Sequence, residues 1–159
     1  MSKTSKKPVI LLVDDEVDLC DTMATTFNIR GFETLVAYNG KQAFEILKTT
    51  PVDVVLSDLQ MPNGTGLELV QWIRKEGINI PIVAFMSGYS QITPKDISEL
   101  GVSLFFDKPF PINTVIKMIN SGIKRNTCKF IITPLRFFIK LKLVQISRNF
   151  EKNEMRSIY

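Results

Sequence analysis

The apolar positions of the chain fall into two alternating rhythms. Residues 9–13 read VILLV, an unbroken apolar run of strand length and the pattern of a parallel strand covered on both faces. Behind it Leu19, Met23 and Phe27, with Cys20 and Ala24, recur at helical spacing until Gly31 stops the helix. Residues 33–38 (ETLVAY) predict a second strand, and Ala43, Phe44 and Leu47 mark one face of a helix that closes before Pro51. Residues 52–57 (VDVVLS) predict a third strand, whose end delivers Asp58, and Leu67, Val70 and Ile73 predict a third helix ended by Gly77. Residues 80–87 (IPIVAFMS) predict a fourth strand. Thr93, Pro94 and Asp96 then form a helix start, with a capping hydroxyl, a proline in the first turn and an acid three residues after the cap. Residues 102–106 (VSLFF) predict the fifth strand, and Ile112, Val115, Ile116, Ile119 and Ile123 the last stripe. Five strands alternating with five helices over about 115 residues predict a doubly wound α/β domain built on a five-stranded parallel sheet.

In such a sheet, ligands bind beyond the carboxyl ends of the strands, at the switch in strand order. The first strand ends in Asp14 and Asp15, the third in Asp58, the fourth in Ser87, and the fifth leads to Asp107 and Lys108. A lone strand-end Asp is ordinarily a cap or turn residue, and acids ahead of a helix suit the positive end of its dipole. Convergence changes that reading. Two carboxylates about 4 Å apart repel by roughly 4 kcal/mol at an effective dielectric near 20, and a half-buried position demands a partner cation. All-oxygen donors without His or Cys favour Mg²⁺ or Mn²⁺ over zinc or copper. A phosphate at that metal would meet Lys108 on another side, with Ser87 as a hydroxyl donor. Those are the parts of a phosphoryl-transfer site, in which a carboxylate beside the metal can act as nucleophile and form an acyl phosphate.

Composition narrows the field. The chain has 159 residues, enough for one domain with some remainder, and its 45% apolar and 23% charged content is that of a globular protein. No apolar run approaches the roughly 20 residues that span a bilayer, and the start MSKTSKKP lacks the form of a secretory signal, so a cytoplasmic location is expected. Cys20 and Cys128 are the only cysteines and there is no histidine, which leaves no zinc site and assigns any imidazole chemistry to another molecule. The net charge of +4 is unevenly spread: residues 1–123 carry 11 basic against 14 acidic side chains, and residues 124–159 carry 9 against 2. The basic balance therefore belongs to the tail and is no nucleic-acid signal for the body. Within the tail, FIITP and IKLKLV alternate like strands, while Leu135, Phe138 and Ile139 suit a helix. It is too short for a usual winged-helix or helix-turn-helix output domain; its interleaved Lys, Arg and Phe suit contact with anionic lipid, with nucleic acid, with the body or with a second copy.

The segments LLVDDE, SDLQMPNGTG, MSGYS and FFDKPF, in this order and spacing, resemble the receiver domain of bacterial two-component response regulators. The resemblance covers about residues 7–124 and implies a (βα)5, flavodoxin-like fold. The domain limits that follow are a polar arm at 1–7, a receiver domain at 8–124 and a basic, apolar extension at 125–159. The resemblance makes Asp58 the phosphoacceptor, taking its phosphoryl group from a phosphohistidine on a sensor kinase or phosphotransfer protein. Asp15 would bind Mg²⁺ directly, Asp14 through water or by positioning, and Gln60 through its backbone carbonyl, with Asp58 completing the set. Lys108 would pair with the phosphoryl oxygens, Ser87 would swing to one of them, and Phe105 would follow as the aromatic switch. Gly88 supplies a small residue beside the site, Pro109 follows Lys108 in what is usually a cis peptide, and Pro62 and Gly66 shape the loop after Asp58. Gln60 and Tyr89 stand where the family tunes phosphoryl lifetime; shielding by Tyr89 predicts a shorter half-life of the phosphorylated protein in Tyr89→Ala. Core packing accounts equally well for Phe105, and turn formation for Gly66 and Gly88. Glu16 is expected to be a first-turn helix acid and Asp107 a solvated loop charge; Thr65 stands where the family often has an acid or Ser, a departure expected to matter little.

Three function classes follow. The first is a switch that works by protein–protein binding, through the surface of the fourth helix, fifth strand and last helix that the family uses for output and homodimers. The second, a phosphatase with an aspartyl-phosphate intermediate as in haloacid-dehalogenase-like enzymes, needs Asp-x-Asp on the first strand, where this chain has DDE. The third is a binding module that acts without phosphorylation, through the basic tail.

Overall fold

The computed structural model describes residues 6–88 and 101–126. Its strands β1 (Val9–Val13), β2 (Glu33–Ala37), β3 (Val54–Asp58), β4 (Ile82–Ser87) and β5 (Leu104–Asp107) form one sheet in the order β2-β1-β3-β4-β5, with every neighbouring pair parallel. Helices α1 (Val17–Ile29), α2 (Gly40–Thr49), α3 (Gly66–Lys75) and α4 (Ile112–Asn126) are described. The helix expected from Thr93, the position of Tyr89 and residues 127–159 lie outside the described residues.

The unbroken apolar strands have a direct cause. Successive side chains of a strand point to opposite faces, and both faces here are covered. Ile10, Leu12, Val54, Leu56, Ala84, Met86 and Phe106 pack with Cys20, Met23 and Phe27 of α1 and with Val115, Ile116 and Ile119 of α4. Val9, Leu11, Val13 and Val55 pack on the other side with Ala43 and Leu47 of α2 and with Leu69 and Ile73 of α3. On the first face Phe27 and Phe32 meet edge to face, with ring centroids 5.2 Å apart.

Some strand ends depart from expectation. Strand β3 starts at Val54, not 52, although Asp53 still joins its neighbours: its N–H donates to the Val9 carbonyl at 2.9 Å, its carbonyl accepts from the Ile82 N–H at 3.2 Å, and its Oδ2 accepts from the Val9 N–H at 2.8 Å. Strand β4 starts after Pro81, which lacks an N–H, and β2 ends at Ala37 because the Tyr38 N–H goes to Gln42 Oε1 at 2.8 Å. Strand β5 runs from Leu104 to Asp107, so Asp107 is an exposed strand end paired in register with Ser87 instead of a loop residue. In α3 the buried positions are Gly66, Leu69, Val70 and Ile73; Leu67 is only partly covered.

Candidate functional site

The strand order reverses between β1, which leads back to β2, and β3, which leads on to β4. Asp14 follows β1 and Asp58 ends β3, so both stand at this switch point. Carboxylate oxygens of Asp14, Asp15 and Asp58 all lie within 4.8 Å of one another. Lys108, one residue beyond β5, reaches across: its Nζ donates to Asp14 Oδ2 at 2.9 Å and to Asp58 Oδ2 at 3.2 Å. Burial penalises the ammonium, but the hydrogen bond and charge of Asp14, with those of Asp58, outweigh it and hold Lys108 above its ordinary value.

The three acids differ in environment. Asp14 is only 2% exposed, and its Oδ1 accepts from the Glu16 N–H at 3.0 Å. Asp58 is 15% exposed on its side chain; its Oδ1 accepts from the Leu59 N–H at 2.6 Å. Asp15 is exposed. One ammonium against three carboxylates leaves a formal charge of −2, which a divalent cation would balance. Hard oxygen donors in that number suit Mg²⁺, so the residues present fit the metal that the sequence implies.

Ser87 is buried at the end of β4, one residue beyond Met86, the register partner of Asp58. The Lys108 N–H donates to the Ser87 carbonyl at 2.8 Å, which ties the two functional residues together through the backbone. Phe105 is buried beside its register partner Phe85, opposite the sheet face that holds Phe106. Gln60 is exposed in the loop after Asp58. The Lys108–Pro109 peptide is cis. Glu16 is the N-cap of α1 and makes no side-chain cap there; the acid of the first turn is Asp18.

The glycines separate. A side chain at Gly66 would run into the Asp58 carbonyl and come within 3.0 Å of the Phe85 ring, so close approach, beyond any turn, requires glycine there. At Gly88 a Cβ would meet, among the described residues, only Lys108 Cβ, at 3.9 Å, an ordinary contact. Cys20 faces the Leu12 carbonyl, and burial with the Asp14 charge pushes its thiol up to about 11, which favours the protonated thiol at neutral pH.

Sequence reasoning missed two supports. Thr65 is the N-cap of α3 in a full capping box with Glu68, a T-x-x-E signature present in the sequence. The Leu59 N–H on Asp58 carries no sequence signal, because every residue but proline has that donor.

The response regulator receiver domain family matches residues 10–120. The response regulator protein PilR of Pseudomonas aeruginosa is 30% identical over 115 residues, which cover 72% of this chain and 26% of that protein. The chain thus spans about a quarter of that relative's length. Among solved structures, the receiver domain of a Francisella response regulator is 32% identical with a TM-score of 0.68, covering 76% of this chain and 99% of that one. The response regulator TrrA of Thermotoga maritima, in complex with Mg²⁺ and BeF, is 25% identical with a TM-score of 0.64, covering 72% of this chain and 98% of that one. The chain belongs to the response regulator receiver family. Members of this family are signalling switches of two-component systems; they take phosphoryl groups from histidine kinases, bind Mg²⁺ through an acidic cluster and act on downstream targets. Among the described residues no helix is long and apolar enough to cross a membrane.

Proposed function

We propose that this chain is a Mg²⁺-dependent switch in which Asp58 accepts the phosphoryl group of a partner kinase's phosphohistidine. The observation that carries the reading is the setting of Asp58. It ends the strand at the switch point, with one oxygen held by the Leu59 N–H, the other by Lys108, and two further carboxylates within 4.8 Å. In the transfer, an Asp58 oxygen forms a bond to phosphorus as the P–N bond to the kinase imidazole breaks. The nitrogen leaves with the bonding electrons and takes up a proton. Such transfers are governed by positioning and charge neutralisation.

Each residue has a stated part. Asp15, Asp58 and the Gln60 carbonyl would hold Mg²⁺, which supplies neutralisation of phosphoryl charge; Mn²⁺ would substitute. Asp14 has both oxygens engaged, by Lys108 and by the Glu16 N–H, which suits positioning over direct ligation. Lys108 exchanges its Asp58 oxygen for a phosphoryl oxygen, Ser87 donates its hydroxyl to another, and Phe105, already buried beside Phe85, repacks with Ser87 as the aromatic switch. Gln60 and Tyr89 set the lifetime of the acyl phosphate. The receiver spans 8–124, works in the cytoplasm, signals by protein binding and turns over no external substrate.

The test is intact-protein mass after incubation with acetyl phosphate and Mg²⁺, comparing the parent with Asp58→Ala. A metal-dependent gain of one phosphoryl group in the parent alone supports the switch. No gain, repeated with a phosphorylated histidine kinase as donor, overturns it in favour of a phosphorylation-independent binding module.

A further inference from the structure

The loop that follows Asp58 is held from an unexpected side. The first N–H groups of a helix lack partners within it, and at α2 the loop supplies them. The Gly40 N–H donates to the Gly64 carbonyl at 2.9 Å, and the Lys41 N–H faces the Asn63 carbonyl at 3.4 Å. Only the third donor, the Gln42 N–H, is capped from α2's own side, by Asn39 Oδ1 at 2.9 Å. Two carbonyl dipoles of the loop thus point at the positive end of α2.

The contact leaves no spare room. A Cβ at Gly40 would lie 2.6 Å from the Gly64 oxygen and 2.9 Å from its carbonyl carbon, both backbone atoms that no rotamer change can move. Gly64 itself has φ +112, and a Cβ there would stand 3.0 Å from the Lys41 nitrogen and 3.1 Å from the Trp72 ring. The far ends of the loop are fixed as well: the Leu59 N–H donates to the Met86 carbonyl at 3.1 Å, and Thr65 opens the capping box of α3. Between these anchors lies Gln60.

We infer that Gly40 is a positioning residue for the phosphoacceptor site: by docking the start of α2 on Gly64, it sets the loop that carries the Gln60 carbonyl. The inference rests on the proposed Mg²⁺ site, but half of its test does not. Gly40→Ala must push the loop away from α2, whereas Asn39→Ala weakens the same helix start and leaves the docking contact intact.

Amide chemical shifts of Leu59 and Gln60 in metal-free protein read the loop directly. They are expected to move in Gly40→Ala and to stay in Asn39→Ala. Mg²⁺ titration, followed by the fluorescence of Trp72, the chain's single tryptophan, is expected to show affinity weakened on the order of tenfold in Gly40→Ala and little changed in Asn39→Ala. Unmoved shifts with parental affinity, or equal effects of both variants, overturn the inference. A parent that binds no Mg²⁺ overturns the functional reading instead, and the metal-free shifts then judge the docking contact alone. Should Gly40→Ala not fold, hydrogen exchange at the Gly40 amide of the parent decides. Slower exchange on adding Mg²⁺ supports the link by reciprocity, and an unchanged rate refutes it.

Discussion

Lys108 joins two carboxylates of different standing, the nearly dry Asp14 and the more accessible Asp58. Removing the ammonium strands the Asp14 charge, so Lys108→Met is expected to cost about 1–3 kcal/mol, below the full value of a buried pair because Lys108 is partly solvated. Urea unfolding reads this. The folded state raises the proton affinity of Lys108, so its contribution is complete below the ordinary value of 10.5 and is lost as pH climbs through the higher folded value. The gap between parent and variant is therefore expected to hold across neutral pH and to close only in strong alkali. At this scale the sequence was informative about identity and silent about state. Asp14, Asp15, Asp58 and Lys108 were legible because strand ends of a doubly wound sheet converge. Which acid is buried, and which oxygen Lys108 takes, depends on packing that spacing does not encode.

Helix and strand boundaries depend on single hydrogen bonds. The capping box at Thr65 and Glu68 starts α3 directly after the loop that carries Gln60, so Thr65→Ala is expected to cost about 1 kcal/mol in urea unfolding. The backbone N–H and hydroxyl of Thr65 hold the Glu68 carboxyl below its ordinary value of 4.5. A lowered folded value means stability that is present above 4.5 and lost as pH falls through the folded value. The effect of Thr65→Ala is therefore expected to shrink on acidification. The T-x-x-E pattern of this box stood in the sequence unread. Conversely, the extra bond at the start of β3 was unreadable: Asp53 keeps its backbone bonds to Val9 and Ile82 and adds a carboxylate that meets the Val9 N–H across the sheet.

Among the described residues, both core clusters draw their buried members from positions 9–119, with Ile123 packed at the edge. A chain ending at Asn126 is therefore expected to unfold in one transition, with parental Asp58 phosphorylation by intact mass; loss of either would extend the receiver beyond the proposed limit at 124. Such a chain also sheds most of the basic side chains of residues 124–159. By itself, the sequence determined the alternation of strands and helices, the parallel sheet and the residues delivered to its carboxyl edge. Those follow from hydrophobic periodicity and from the rule that such sheets are covered on both faces. Only the tertiary structure decided how the loop after Asp58 is held. Its anchors are backbone groups, the Leu59 and Gly40 N–H and the Gly64 carbonyl, which every chain possesses and which become specific only when distant segments meet.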